Sequence, residues 1–215
     1  MPKRHPAQPD DWPVTYTRTV ARNVRAHRED RRMSVQALAD RCTALGYPLE
    51  RTNLYKLESG GRASMSVAEL LVLARALNTP PMLLLVPLDG DDQVEILPGV
   101  EAPVTDAAAW IDGTAPAPDA DDSEVGADRR DALRLLRDHH QAVREWQSRT
   151  RAAAIARDRA ADDGDQHQRA WREASREHVD RADRAAERVE FLRDGMRVRG
   201  LSLPDLPPGL IHLES

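Results

Sequence analysis

Aromatic side chains are too few in this chain to fill two cores of ordinary density. They make up 4% of the 215 residues, whereas charged residues make up 31% and the mean hydropathy is −0.61. Such a chain can build one compact core of about 70 to 80 residues, and much of the remainder must be linker or solvated helix. The composition therefore predicts a mostly helical protein with one well-packed domain.

Charge is distributed unevenly and divides the sequence into four pieces. Residues 1–90 carry 13 basic and 9 acidic side chains, whereas residues 91–125 carry 10 acids and no base. Residues 126–199 are mixed, with 18 bases and 15 acids, and residues 200–215 add two acids. Because the net charge is −5, no overall basic footprint indicates nucleic acid, and any such surface has to be local.

Residues 16–88 have the pattern of an all-α domain of five short helices, preceded by a flexible arm over residues 1–15. Ser34 and Ser66 stand where helix N-caps are expected, and Gly46 stands where the second helix should end. Apolar residues recur three or four apart, which places them on one face of each helix. In the second and third helices these inward residues are Leu38, Cys42, Leu45, Leu54 and Leu57.

The acidic piece, residues 89–125, is expected to be a linker that includes a small β-ribbon. Two strands around Pro98 and Gly99 could use Val94, Ile96, Val100 and Val104. One helical turn could follow and carry Trp110. The prolines and acids after that turn are typical of a flexible segment.

Residues 126–199 predict a long antiparallel helical hairpin, followed by a tail over residues 200–215. The second hairpin helix has a spacing close to a heptad seam. Its seam residues are Trp171, Ala174, His178, Ala182, Ala185, Val189, Leu192 and Met196. Those of the first hairpin helix are Leu136, His139, Val143, Trp146, Thr150 and Ala153.

The third helix of the five-helix domain, residues 50–59, carries an unusual outward face. This face consists of hydrogen-bonding side chains that are long enough to reach a base edge: Arg51, Thr52, Asn53, Tyr55 and Lys56. Arginine binds guanine O6 and N7, asparagine binds adenine N6 and N7, and the threonine methyl group contacts thymine. The pattern indicates DNA binding, and its structural alternative is an ordinary solvated helix.

Residues 24–85 resemble the Xre/Cro-repressor family of helix-turn-helix DNA-binding domains. The resemblance is carried by VRAHREDRRMSVQALADRC, RTNLYKLESGGR, AELLVLARALN and PPMLLLVP. It implies a five-helix lambda-repressor-like domain whose third helix enters the major groove. The positions that it implies for base reading are Arg51, Thr52, Asn53 and Lys56, with Tyr55 as a further candidate.

The same resemblance implies contacts outside the third helix. Ser34 and Gln36, at the start of the second helix, would meet a phosphate where free N–H groups favour an anion. Arg62 and Ser64 would contact the DNA backbone beyond the third helix. An ion pair between Arg28 and Glu58 would have a structural role.

No residue pattern indicates an enzyme, a cofactor or a metal site. The chain has no H-E-x-x-H motif and no glycine-rich phosphate loop. His139 and His140 point about 100° apart on a helix and so cannot chelate one ion from one face. Cys42 is the only cysteine and is expected to be a small core residue. No membrane span or signal peptide is expected either, and the predicted location is the cytoplasm, at the nucleoid.

Two functions remain open at this point. The first is a sequence-specific, repressor-like transcriptional regulator that binds double-stranded operator DNA as a homodimer. The alternative is an adaptor whose C-terminal hairpin binds a protein partner while the helix-turn-helix serves as an anchor. The candidate dimer contacts are Met82, Leu83 and Leu85, and, in a four-helix bundle of two hairpins, Trp146, Trp171, Val189 and Leu192.

Overall fold

The computed structural model describes residues 12–87, 93–120, 124–162 and 165–214. Of these residues, 71% are helical and 5% lie in strands, which confirms the mostly helical fold. The chain divides into two compact units, Met1–Asp122 and Ser123–Ser215. Within the described ranges, none of the helices combines the length and the apolarity needed to cross a bilayer.

Five helices open the first unit, in the order predicted. They are α1 (Trp12–Asp30), α2 (Val35–Ala44), α3 (Arg51–Glu58), α4 (Val67–Ala76) and α5 (Met82–Leu85). The first helix begins four residues before its predicted start, so residues 12–15 do not belong to a flexible arm. Residues 1–11 of that arm lie outside the described residues.

An aromatic pair explains the early start of α1. The rings of Trp12 and Tyr16 stack with their centroids 5.2 Å apart. The indole Nε1 of Trp12 donates to the carbonyl of Glu95 at 3.1 Å, and the hydroxyl of Tyr16 donates to that of Leu85 at 3.0 Å. Burial raises the pKa of Tyr16 to about 12, so its hydroxyl remains a donor at neutral pH.

Serine caps and a left-handed glycine set the helix ends, as the sequence indicates. The hydroxyl of Ser34 accepts from the amide of Ala37, and that of Ser66 accepts from the amide of Glu69, both at 3.1 Å. Gly46 has a φ of +84°, which a residue with a Cβ rarely adopts, and it ends α2. The inward placement predicted for Leu45 is wrong, because Leu45 is the C-cap of α2 and its side chain is 45% exposed.

The helices of the first unit share one apolar core. Several side chains in it are fully buried, among them Val24, Leu38, Cys42, Leu54, Leu57, Leu73, Leu77 and Leu84. Cys42 is therefore a core residue, and burial, with a smaller contribution from the charge of Glu69, raises the pKa of its thiol to about 11. At neutral pH this thiol is protonated and unreactive.

The acidic segment contains folded elements in addition to linker. Strands β1 (Gln93–Leu97) and β2 (Val100–Pro103) pair antiparallel, and helix α6 (Val104–Ile111) follows directly. Val104 thus belongs to a helix, although the sequence placed it in the ribbon. Residues of these elements form a second small core, which also includes the end of α5: Val86, Val94, Ile96, Ala102 and Ala107.

The second unit is a long helical pair. Helices α7 (Glu124–Asp162) and α8 (Asp165–Val198) pack along their length. The predicted seam of α8 is buried from Ala182 to Met196 at its heptad positions. On α7 the seam differs, because Thr150 is exposed and the fully buried residues are His139, Ala142, Ala153, Ala156 and Ala160.

The C-terminal tail packs onto this helical pair and completes its core. It ends in a 3-10 helix, Pro208–Leu213. Leu206 and Leu210 of the tail are buried in one cluster with Val189 and Leu192 of α8. Val189 and Leu192, two of the residues predicted to join two hairpins in a four-helix bundle, are thus buried within one chain, whereas Trp146 and Trp171 of the same prediction are half-buried.

The burial of His139 predicts that the stability of this unit depends on pH. His139 is 2% exposed, and desolvation, together with the charges of Arg193 and His140, lowers its pKa from 6.5. Below about pH 6.5 the unfolded chain binds a proton at this histidine that the folded chain does not bind. The free energy of unfolding is therefore highest above that pH and falls as the pH drops below it. Thermal melts between pH 7 and pH 5 should show this loss in the second unit, and His139→Leu should remove it.

The exposed His167 on α8 provides the control for this experiment, because it is not among the groups that shift the pKa of His139. His167→Leu should keep the pH dependence of the wild-type chain. A wild-type melting temperature that stays constant from pH 7 to pH 5 would contradict the assignment to His139.

Candidate nucleic-acid interface

Helix α3 buries two leucines and presents polar side chains outwards. Leu54 and Leu57 are fully buried against the other helices of the unit. The five side chains predicted to read bases are all exposed: Arg51, Thr52, Asn53, Tyr55 and Lys56. Of these, Tyr55 is 65% exposed, which is high for an aromatic residue and leaves its ring and hydroxyl accessible to a ligand.

The only acid within α3 is directed away from this face by an ion pair. The guanidinium of Arg28 donates from Nε to Oε1 of Glu58 at 2.8 Å and from Nη2 to Oε2 at 2.7 Å. Its Nη1 donates to the carbonyl of Met33 at 2.7 Å. Arg28 and Glu58, the pair predicted from the resemblance, are thus in contact. Their side chains are only 10% and 5% exposed. The hydrogen bonds to Glu58 raise the pKa of Arg28. Arg51 and Lys56 are left without an opposing carboxylate from α3.

A second acid lies at the start of α3. Glu50 is the N-cap residue but makes no side-chain capping bond. Its carboxylate accepts a hydrogen bond from the hydroxyl of Thr52 at 3.3 Å. The acid is exposed and would have to turn away from phosphate or accept from a cytosine amino group.

The two residues predicted to meet phosphate at α2 are both exposed. Ser34 caps the helix, and its hydroxyl hydrogen remains available to donate while its oxygen accepts from Ala37. The side-chain amide of Gln36 donates to Asp40 at 2.8 Å. A phosphate contact from Gln36 therefore requires this surface bond to open.

Arg62 has a partner that the sequence did not indicate. Both terminal nitrogens of its guanidinium bind the carboxylate of Glu69, with Nη2 at 2.8 Å from Oε2. The Glu69 side chain is only 4% exposed, and that of Arg62 is 27% exposed. The pair joins the loop after α3 to the first turn of α4, whereas Ser64 in the same loop is exposed and open to a ligand.

Replacing Arg62 with alanine is accordingly expected to act on stability. The substitution would leave the buried Glu69 carboxylate unpaired and lower the free energy of unfolding by about 1 to 2 kcal/mol. The loss is no larger because water reaches the Arg62 side of the pair. Thermal unfolding followed by circular dichroism measures this loss. The salt dependence of DNA binding should stay unchanged, because an arginine held by Glu69 releases few phosphate counterions. A stable variant with a shallower salt slope would show instead that Arg62 contacts the DNA backbone.

Sequence reasoning missed a cation at the end of α3. Gly60 ends this region with a φ of +73°, and a Cβ built on it would lie 3.6 Å from Cγ of Arg18. The hydroxyl of Thr17, next to Arg18, lies 3.4 Å from the carbonyl of Ala63. Exposed Arg18 thus lies beside the loop that follows α3, although 42 residues separate it from Gly60 and no local pattern links the two.

The residues predicted for dimer contacts are covered to different extents. Met82, Leu83 and Leu85 are half-buried, whereas Leu84 and Val86 within the same run are fully buried. Trp146 is half-buried and packs against the tail at Gly209. Trp171 is half-buried under the guanidinium of Arg159, whose Cζ lies 4.8 Å from the ring centroid.

Metal-binding groups are dispersed in the part of the chain that the structure describes. No three histidine, cysteine, aspartate or glutamate side chains lie close enough there to hold an ion. The chain matches no protein-family model, no curated protein and no solved structure.

Proposed function

We propose that this chain is a sequence-specific DNA-binding transcriptional regulator whose helix α3 enters the major groove. One observation carries the proposal: α3 exposes five base-reading side chains while Arg28 draws its only acid inwards. An ordinary solvated helix mixes acids with bases, whereas the exposed residues within α3 include no acid and Glu50 lies beside them at the N-cap. Arginine, lysine, asparagine and threonine side chains are the types that bind base edges in the major groove, which supports the proposal.

The arrangement of α2 and α3 supports a helix-turn-helix of the Xre/Cro type within residues 16–88. The two helices pack on each other, and six residues, 45–50, connect them. Both are anchored in the same core, because Leu38 of α2 and Leu54 of α3 are fully buried there. A recognition helix needs this rigid support, since the base-reading side chains must keep their geometry on binding.

Each base-reading side chain has a role in this proposal. Arg51 and Lys56 bind guanine, Asn53 binds adenine, and the methyl group of Thr52 contacts thymine. Tyr55 adds a hydroxyl at the edge of the face. Ser34, Gln36 and Ser64 contact phosphates on either side and set the register on the duplex.

The regulator acts as a homodimer in this proposal, because one helix reads a half-site with weak discrimination. The half-buried residues Met82, Leu83 and Leu85 are the contact that we favour, now that the core of the hairpin is covered by the tail. The proposed regulator acts at the nucleoid and uses no catalytic chemistry. Light scattering of the full chain tests the dimer.

Arg51→Ala and Lys56→Ala should each weaken binding to the selected site by about 1 to 3 kcal/mol. Both side chains are exposed and outside the core, so the melting temperature should stay unchanged. Arg75→Ala is the matched control, because Arg75 is an exposed arginine in the last turn of α4 and does not belong to the predicted DNA-contacting residues. Fluorescence anisotropy with selected and random duplexes measures the effect.

The assignment of α3 is wrong if Arg51→Ala and Lys56→Ala keep full affinity and selectivity, or if Arg75→Ala weakens binding equally. The site itself comes from selection of bound duplexes out of a random pool by the full chain. A regulator should prefer the selected site over random DNA by about 10³-fold or more. If no sequence is enriched, the proposal fails, and the adaptor function becomes the better explanation of the fold.

A further inference from the structure

Three arginines converge on a cleft between the last turns of α7 and the first turns of α8. The cleft has a volume of about 340 Å³. Arg157 contributes from α7, and Arg172 and Arg176 contribute from α8. Ala160 and Ala161 also line the cleft, and their small side chains leave its volume open.

The charged residues that line this cleft, among those that the structure describes, are all positive. Arg172 and Arg176 are four residues apart on one helix, a spacing at which like charges repel. None of the three arginines pairs with a carboxylate among the residues that the structure describes. Elsewhere on the hairpin such pairs do form, as between Arg181 and Glu177. The packing of the helices gives no reason for three unpaired guanidinium groups to face one cleft.

Two hydrogen bonds join the helices beside the cleft. The side-chain amide of Gln168 on α8 donates to the carbonyl of Ala160 on α7 at 3.1 Å. The hydroxyl of Ser175 on α8 donates to the carbonyl of Ala153 on α7, also at 3.1 Å. Both bonds connect a side chain of α8 to the backbone of α7, so they support the packing of the two walls of the cleft.

We propose that this cleft is a binding site for a phosphate-bearing anion. A guanidinium group offers parallel N–H donors that match two oxygens of a phosphate, and arginine is the residue best suited to this contact. The volume falls in the range of small-molecule sites, so a small phosphorylated compound fits it. The site lies in the second unit, and its assignment does not depend on DNA recognition by α3.

Calorimetric titration of the full chain with pyrophosphate, at constant ionic strength, tests the site. The wild-type chain should bind, and Arg172→Gln or Arg176→Gln should weaken binding about tenfold or more, since each removes charge-assisted hydrogen bonds. Arg169→Gln is the control, because Arg169 is exposed on the same helix and does not line the cleft. It should change the affinity by less than about twofold, which lies within the spread of ordinary surface substitutions. Circular dichroism melts should be the same for all these variants.

A free compound and a nucleic-acid backbone are two sources of a phosphate group, and the binding of random duplex DNA distinguishes them. If the ligand is a free compound, Arg172→Gln and Arg169→Gln should bind the duplex with equal affinity. If the phosphate belongs to a nucleic-acid backbone, Arg172→Gln should bind the duplex more weakly and pyrophosphate should compete with it. Either result supports a phosphate site in the cleft.

Three results would overturn the proposal. One is the absence of pyrophosphate binding at millimolar concentration, and another is an equal loss in Arg169→Gln, which would indicate unspecific attraction. The third concerns Asp163, which follows α7 in the sequence, and Asp165, which is the first residue of α8. If pyrophosphate binds only after Asp163→Asn and Asp165→Asn, the arginines pair with acids of the chain itself, and the cleft is not a ligand site.

Discussion

Replacing Glu58 with alanine should lower the free energy of unfolding of the first unit by about 3 kcal/mol. The substitution would leave the guanidinium of Arg28 at a site where its side chain is only 10% exposed. A charge in such a place, deprived of two hydrogen bonds, destabilises the fold more than the intact pair stabilises it. For a unit of this size, the melting temperature should fall by roughly 10 °C or more.

Two variants separate the ion pair from a general effect of lost charge. Glu29→Ala removes an acid next to Arg28 in sequence, and its side chain is 51% exposed, so the melting temperature should change little. The double variant Arg28→Met, Glu58→Leu removes both charges and should recover much of the stability. A melting temperature of Glu58→Ala equal to that of Glu29→Ala would contradict the role of the pair.

Truncating Leu210 to alanine should destabilise the second unit by about 2 to 5 kcal/mol. Leu210 is 1% exposed and lies in one cluster with Ala142, Val189 and Leu192. The seam of this unit consists largely of alanines, which bury little area, so one leucine carries a large share of its apolar burial. The tail should then become sensitive to proteases before the helices unfold.

Ile211 gives a matched control in the same 3-10 helix. Its side chain is 51% exposed, so Ile211→Ala should change stability by less than about 0.5 kcal/mol. Gly209→Val tests the same packing from the other side, since a Cβ at position 209 would lie 2.4 Å from Cη2 of Trp146. If Leu210→Ala and Ile211→Ala have the same melting temperature, the tail does not contribute to the core.

The local pattern of the sequence was sufficient for the order of helices α1 to α5 and for the face that α3 exposes. Capping serines act on amides three residues away, and Leu54 and Leu57 are inward because of helical spacing alone. The pairing of Arg28 with Glu58 needed the family resemblance, because 30 residues separate the two. DNA recognition stays a prediction that rests on the exposed face and its chemistry.

Contacts between distant residues were decided only by the tertiary structure. The partner of Arg62 depends on how the loop meets α4, and the helical start at Trp12 depends on a carbonyl 83 residues away. The choice of residues that α7 buries and the docking of the tail also depend on contacts between residues distant in the sequence. A side chain's periodicity tells which face of its own helix it occupies, but the atoms that it meets there belong to other elements, and their approach is set by packing of the whole unit.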